Sequence, residues 1–263
     1  MSTDRRSLLK GLAVAGAGAA VSSGTAAASE RARPPENAVG MLYDATRCIG
    51  CRACVTACKK ANNLEGNLYD PPKDLGGDTK NIIKKYEGEG EYSYMKQQCM
   101  HCIDPGCANA CMIGAFAKRD YGIITWDGNK CIGCRYCQVA CPYNIPKFEW
   151  ETNNPEIVKC ELCLHLIDPE GSGTITGQPG CCQACPKEAV IFGTYEELLA
   201  DAKNRIATHP DRYWGPDGEP VIFGDDEGGG TQVLYLAGVD FEKLGLPPLD
   251  ETSVGHLPRT VQH

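Results

Sequence analysis

Cys131, Cys134, Cys137 and Cys141 stand in the spacing C-x2-C-x2-C-x3-C, with Pro142 immediately after. Few arrangements constrain a chain more. Three thiols set two residues apart can curl around one centre when a tight turn points backbone N–H groups inward, and a fourth thiol before proline reaches a second centre. That is the ligand run of bacterial [4Fe–4S] proteins. Zinc also takes C-x2-C pairs, but it takes them two and two, and the third closely spaced thiol has no use there. A disulfide framework has no reason to repeat this spacing.

The run is one of four, and the chain holds 17 cysteines. The first group is Cys48, Cys51, Cys54 and Cys58; the second is Cys99, Cys102, Cys107 and Cys111; the third is the 131–141 run. The fourth is split: Cys160 and Cys163 precede a glycine-rich loop, and Cys181, Cys182 and Cys185 follow it, with Pro186 next. Groups two and three are adjacent and make one complete two-cluster unit, into whose flanks groups one and four fit as a second. If each group gives three sulfurs to its own cluster and one to its mate, four sets follow. These are Cys48, Cys51, Cys54 and Cys185; Cys58, Cys160, Cys163 and Cys181; Cys99, Cys102, Cys107 and Cys141; and Cys111, Cys131, Cys134 and Cys137. Keeping the C-x3-C-P spacing makes Cys181 the ligand and leaves Cys182 as a spare buried thiol beside the cluster. No expected ligand is replaced by tryptophan or aspartate. Met112 and Lys59 follow Cys111 and Cys58, where they alter packing or sulfur hydrogen bonding without removing a ligand.

Aromatic residues make up only 7% and glycines number 30, so the interior must be organised by something other than large side chains. The formal charge of −8 argues against a nucleic-acid partner, which requires a basic face. At the start, Arg5 and Arg6 precede the mild Gly/Ala-rich run 11–21 and an A-x-A site at 26–28. This reads as a twin-arginine export signal over residues 1–28. The run is too short for a membrane anchor, which needs about 20 apolar residues. Because that route carries folded proteins, clusters can be inserted before export.

The fold class expected is α+β: two nested, bacterial-ferredoxin-like two-cluster units occupying 38–193, with an insertion and a C-terminal extension. The outer unit takes 41–58 and 156–193, the inner unit 96–145, and 59–95 is the insertion. A short strand at 41–44 leads into group one; 81–86 and 92–95 alternate as strands, and 115–118 with 122–126 reads as a hairpin. Residues 194–263 are expected to carry a helix, a strand and an extended tail. Thr194 and Glu197 form a capping box for a helix to about 207, Gly228–Gly230 a flexible lead into a strand, and 244–249 the tail. The glycine triplet lacks the sequence and helix of a phosphate loop. His101 and His165 lie beside cysteines but are assigned to packing or surface, since thiols already suffice. The acidic stretch 225–227 is a solvated loop.

Together with residues 98–102, 133–144, 159–163, 189–194 and 228–236, these motifs resemble the HybA-like four-cluster iron–sulfur subunits of the molybdopterin-oxidoreductase and membrane-hydrogenase families. The resemblance covers nearly all of 38–250. It implies four [4Fe–4S] clusters and a non-catalytic electron-transfer subunit. One expected partner is a catalytic oxidoreductase subunit of hydrogenase or molybdopterin type, or a multihaem cytochrome. The other is an integral-membrane quinone-interacting subunit of NrfD/HybB type. Hydrogenase is the favoured catalytic partner; formate dehydrogenase or another molybdopterin or cytochrome-linked menaquinone reductase is the alternative. No catalytic residue is expected, because there is no nickel pattern, no pterin-scale domain and no dinucleotide fingerprint. An open-iron enzyme would need a cluster short of a thiol, and a purely structural module would leave four linked clusters without use. With the export signal, the chain is placed in the periplasm, held to the membrane by partners and without a span of its own. The double variant Arg5→Lys with Arg6→Lys should strand a folded, cluster-loaded precursor in the cytoplasm. Normal arrival of that variant beyond the membrane, followed by fractionation and immunoblotting, would remove the twin-arginine reading.

Overall fold

Along the strand Val39–Asp44 every residue is buried, so both of its faces must be covered. A computed structural model of the chain shows how; it describes residues 33–64, 72–88, 90–153, 155–256 and 258. The segment 1–28, read as an export signal, lies outside the described residues. In chain order the strands are β1 (Val39–Asp44), β2 (Ile82–Gly88), β3 (Glu91–Gln97), β4 (Phe116–Lys118), β5 (Ile124–Trp126), β6 (Lys147–Phe148), β7 (Ile157–Val158), β8 (Val190–Thr194) and β9 (Val233–Leu236). The α-helices are α1 (Ala53–Ala61), α2 (Gly106–Asn109), α3 (Tyr136–Val139), α4 (Leu164–Ile167), α5 (Gly180–Gln183) and α6 (Tyr195–Thr208).

Side chains alternate across a strand. From β1, Val39, Met41 and Tyr43 therefore enter the main core with Ile82, Met95, Val233 and Tyr235. Leu42 points the other way, to Leu198 and Ala202 of α6 and to Leu234 and Leu236. The edges are closed by β8, antiparallel, and β9, parallel. Helix α6 begins as its sequence predicts. Glu197 N–H donates to Thr194 Oγ1 at 3.4 Å, and Thr194 N–H donates back to Glu197 Oε2 at 3.2 Å. Tyr195, Leu198 and Ala202, spaced for one helical face, cover the sheet. Asp44, fully buried at the end of β1, is held by Arg205 of that helix at 3.1 Å and by the Tyr213 hydroxyl at 3.0 Å.

Both hairpins form, β2 with β3 and β4 with β5. The first does more than connect: Ile82, Ile83, Met95 and Lys96 are buried, the first three in the main core. The tail also differs from its reading. Gly228, Gly229 and Gly230 adopt φ of 65°, 82° and 86°, and the first two are buried against Val254, Leu249 and Ser253, so this lead is packed. Where 244–249 reads as extended, the chain first turns. Gly245 N–H bonds the Glu242 carbonyl at 2.9 Å, and Leu244 and Leu246 enter the core. Among the described residues no helix is long and apolar enough to cross a membrane.

Gly40 lets β1 and the approach to β9 touch, because a Cβ there would stand 1.8 Å from the Gln232 carbonyl oxygen. Gly40→Ala should cost about 1–3 kcal/mol, the usual range for overpacking. The expected readout is a lower thermal midpoint with unchanged iron content after assembly in the cold.

Candidate metal centres

The four cysteine groups share a backbone geometry. The residue before the second cysteine is left-handed in each: Gly50 (φ 69°), His101 (φ 49°), Gly133 (φ 69°) and Leu162 (φ 51°). Glycine enters this region freely, whereas histidine and leucine hold it under strain. The turn aims an N–H at the first sulfur of the loop. Gly50 N–H lies 3.4 Å from Cys48 Sγ, Gly133 N–H 3.5 Å from Cys131 Sγ and Leu162 N–H 3.4 Å from Cys160 Sγ. The remote cysteines repeat a second pattern. Cys111, Cys141 and Cys185 are each followed, three residues on, by a left-handed Gly114, Asn144 or Glu188, whose N–H bonds the cysteine carbonyl at 3.1, 3.1 and 3.2 Å. Ala115 and Ala189 then donate to Cys111 Sγ and Cys185 Sγ at 3.2 Å each. Group one departs from this, because Cys54 and Cys58 lie one helical turn apart inside α1. There Asn62 takes over, its Nδ2 standing 3.7 Å from Cys58 Sγ and 3.6 Å from Cys163 Sγ.

The fold brings remote thiols together. Cys48, Cys51, Cys54 and Cys185 line one cleft of about 350 Å³. Burial pushes the Cys58 thiol up to about 12, with repulsion from Cys181 and Cys163 behind it. Cys160 is raised by burial and then by Cys58, Cys163 and Cys181. Cys102 is raised well above the ordinary thiol range, by burial first and then by Cys141, Cys99 and Cys107. Cys137 is pushed to about 12 by burial and by Cys111, Cys131 and Cys134. Neighbouring sets also feel each other, since Cys181 acts on Cys54 and Cys137 on Cys107. Cys51 and Cys134, at the equivalent position of two like loops, are exposed.

All seventeen cysteines are free thiols. Among the described residues, no three His, Cys, Asp or Glu side chains are spaced to hold a single metal ion. Wider-spaced thiols with N–H groups aimed at sulfur suit a polynuclear cluster, whose thiolate corners need hydrogen bonds and shelter from water.

At the doublet the two thiols meet. Cys182 donates its thiol hydrogen to Cys181 sulfur; that bond, together with Lys96, lowers the Cys181 pKa against the effect of burial. The same bond and burial raise Cys182. His101 is fully buried and its Nδ1 accepts from Ile124 N–H at 3.1 Å; His165 Nε2–H bonds the Ala61 carbonyl at 2.8 Å. Both make contacts with backbone. Asn62 and Lys96 stand near the sulfurs with no motif to announce them; Lys96 is found by its burial, at 0% exposure, and Asn62 by its reach to Cys58 and Cys163.

A "4Fe-4S dicluster domain" model matches residues 90–195, and a "4Fe-4S binding domain" model matches 39–60. The hydrogenase-2 operon protein HybA of Escherichia coli O157:H7 is 42% identical over 271 residues, covering 90% of this chain and 81% of HybA. The iron–sulfur subunit of the nitrate-inducible formate dehydrogenase of Escherichia coli K12 is 35% identical over 232 residues, with 82% and 75% covered. The formate dehydrogenase iron–sulfur subunit of Haemophilus influenzae is 33% identical over 218 residues, with 78% and 66% covered.

From the hydrogen bond between the doublet thiols, Cys181→Ser should damage one cluster signal in the EPR spectrum of the reduced chain. Cys182→Ser should retain every signal, with at most a small shift in one. The reverse pattern would make Cys182 the ligand.

Proposed function

The chain belongs to the HybA-like family of ferredoxin-type 4Fe–4S subunits, and on that premise we propose that it is a non-catalytic relay. In this reading it carries four [4Fe–4S] clusters in two nested units and passes electrons between a catalytic oxidoreductase subunit and an integral-membrane quinone-interacting subunit of NrfD/HybB type. When bound, such clusters supply one-electron redox chemistry. The residues that would hold them are Cys48, Cys51, Cys54 and Cys185; Cys58, Cys160, Cys163 and Cys181; Cys99, Cys102, Cys107 and Cys141; and Cys111, Cys131, Cys134 and Cys137. The observation that carries this reading is the convergence of remote thiols. Cys185 meets the 48–54 loop, Cys141 meets the 99–107 loop, and Cys111 meets the 131–137 loop.

The protein's own part is to keep the thiolates apart from water and supplied with N–H donors. Two exposed ligands, Cys51 and Cys134, fall in different quartets, one in each proposed unit. Two openings of this kind suit a conductor with two partners better than a shuttle with one. Hydrogenase is the favoured catalytic partner, supported by the 42% identity to HybA over most of both chains. A formate dehydrogenase is the second reading, supported by the subunits at 35% identity. The export signal read over 1–28 supports a periplasmic site of work, with the partners supplying attachment to the membrane.

The isolated chain should contain about sixteen irons, the content of four cubane clusters. Deleting its gene should abolish quinone-linked substrate oxidation while the catalytic subunit still reduces an artificial dye. Iron near eight, or quinone-linked activity that survives the deletion, would overturn the proposal.

A further inference from the structure

Lys96 is fully buried on β3, opposite Ile83 of β2. Its backbone is fixed from the other side as well, where the Tyr235 hydroxyl donates to its carbonyl at 2.6 Å. The ammonium donates to Gln98 Oε1, and Gln98 Nε2 in turn stands 3.1 Å from Met41 Sδ. Among the described residues, no carboxylate pairs with Lys96, whereas the other buried lysine near the first loop, Lys59, has Asp78 at 2.6 Å. A buried ammonium without an opposite charge is strongly disfavoured.

Sulfur provides that charge. Lys96 lines the same cleft as Cys48, Cys51, Cys54 and Cys185. It also acts on Cys58, Cys160 and Cys181, three of the four thiols of the neighbouring set. Once these sulfurs ligate clusters as thiolates, their negative charge would offset the cost of burying the ammonium. In the other unit, the cation felt by Cys107 and Cys141 is Lys159.

We propose that Lys96 is a shared counter-cation for the two clusters of the outer unit, and that it holds both of their reduction potentials above the values they would have without it. The inference rests on the ligand sets proposed above. Each one-electron reduction adds one negative charge to a cluster, and a fixed positive charge in a dry interior favours the reduced form. Bulk salt reaches such a site poorly, so the effect persists at physiological ionic strength. Lys96 touches no substrate and is a positioning residue for electrons: it sets where along the relay they rest.

The test is an anaerobic potentiometric titration followed by EPR on the full chain, preceded by iron analysis, for the wild type, Lys96→Met and Lys96→Arg. In Lys96→Met two of the four midpoints should fall, each by about tenfold or more in the one-electron equilibrium, ~59 mV per tenfold. The other two should stay, and Lys96→Arg should keep all four near wild type. If Lys96→Met loses iron from two clusters while Lys96→Arg keeps it, the charge is needed for assembly, and the proposal stands. Four unmoved midpoints, four that move together, or an Arg variant that behaves like Met would overturn it. Loss of iron in both variants would also overturn it, because shape and not charge would then be at work. A wild type well short of about sixteen irons overturns the ligand sets and this inference with them; full iron with unmoved midpoints overturns this inference alone.

Discussion

Buried thiols cannot readily become thiolates without a cation to share the charge, and the rest of this structure depends on that constraint. Burial drives Cys54 and Cys58 up to about 12 and Cys141 to about 11. At neutral pH these groups would keep their protons in the absence of iron. Coordination would reverse the preference, since cluster ligands bind as thiolates. The small aromatic content then makes sense, because part of the interior is meant for iron and sulfide. The repeated left-handed residues at 50, 101, 133 and 162 are the backbone's share of the same task. At 50, 133 and 162 they turn N–H groups toward sulfur.

Around the thiols stands a frame to which the C-terminal region contributes a strand and part of the core. Strand β9 pairs with β1, and the chain leading into it bonds the second cysteine loop: Gln232 N–H to the His101 carbonyl and Val233 N–H to the Met100 carbonyl, each at 3.1 Å. The Gln232 side chain spans Val39 and Tyr121, at 2.5 and 2.9 Å from their carbonyl oxygens. One glutamine thus ties the strand before group one to the hairpin between groups two and three. Fixed spacing between metal sites requires such ties, since electron transfer tolerates little change in distance.

The proposed relay gains its asymmetry from cations rather than from ligands. All sixteen proposed ligands are thiols, so ligand identity cannot grade the potentials. Charge, hydrogen bonding and exposure remain as the levers. Lys96 and Lys159 are buried lysines near the thiols of different units, and Asn62 adds a donor between Cys58 and Cys163. Exposure differs too, with Cys51 and Cys134 open to solvent and Cys102 and Cys160 buried.

Cysteine spacing, read along the chain, determined the kind of chemistry and marked out the thiol loops, because a turn that points three thiols at one centre is local. The capping box at Thr194 and the hairpin at 116–126 were legible for the same reason: their hydrogen bonds join residues close in sequence. Tertiary structure alone decided the rest. The segment 59–95 reads as an insertion, yet Ile82, Ile83 and Met95 enter the main core, and β3 puts Lys96 beside the cleft of the first cysteine loop, a relation that no local pattern encodes. Gly228–Gly230 reads as flexible, yet it packs against residues 249–254, because left-handed glycines permit a close approach as well as freedom. The apparently free tail closes the main core through Phe241, Leu244 and Leu246. Short-range geometry is written in spacing, while a long-range contact depends on where the whole chain returns, and burial records that only after folding.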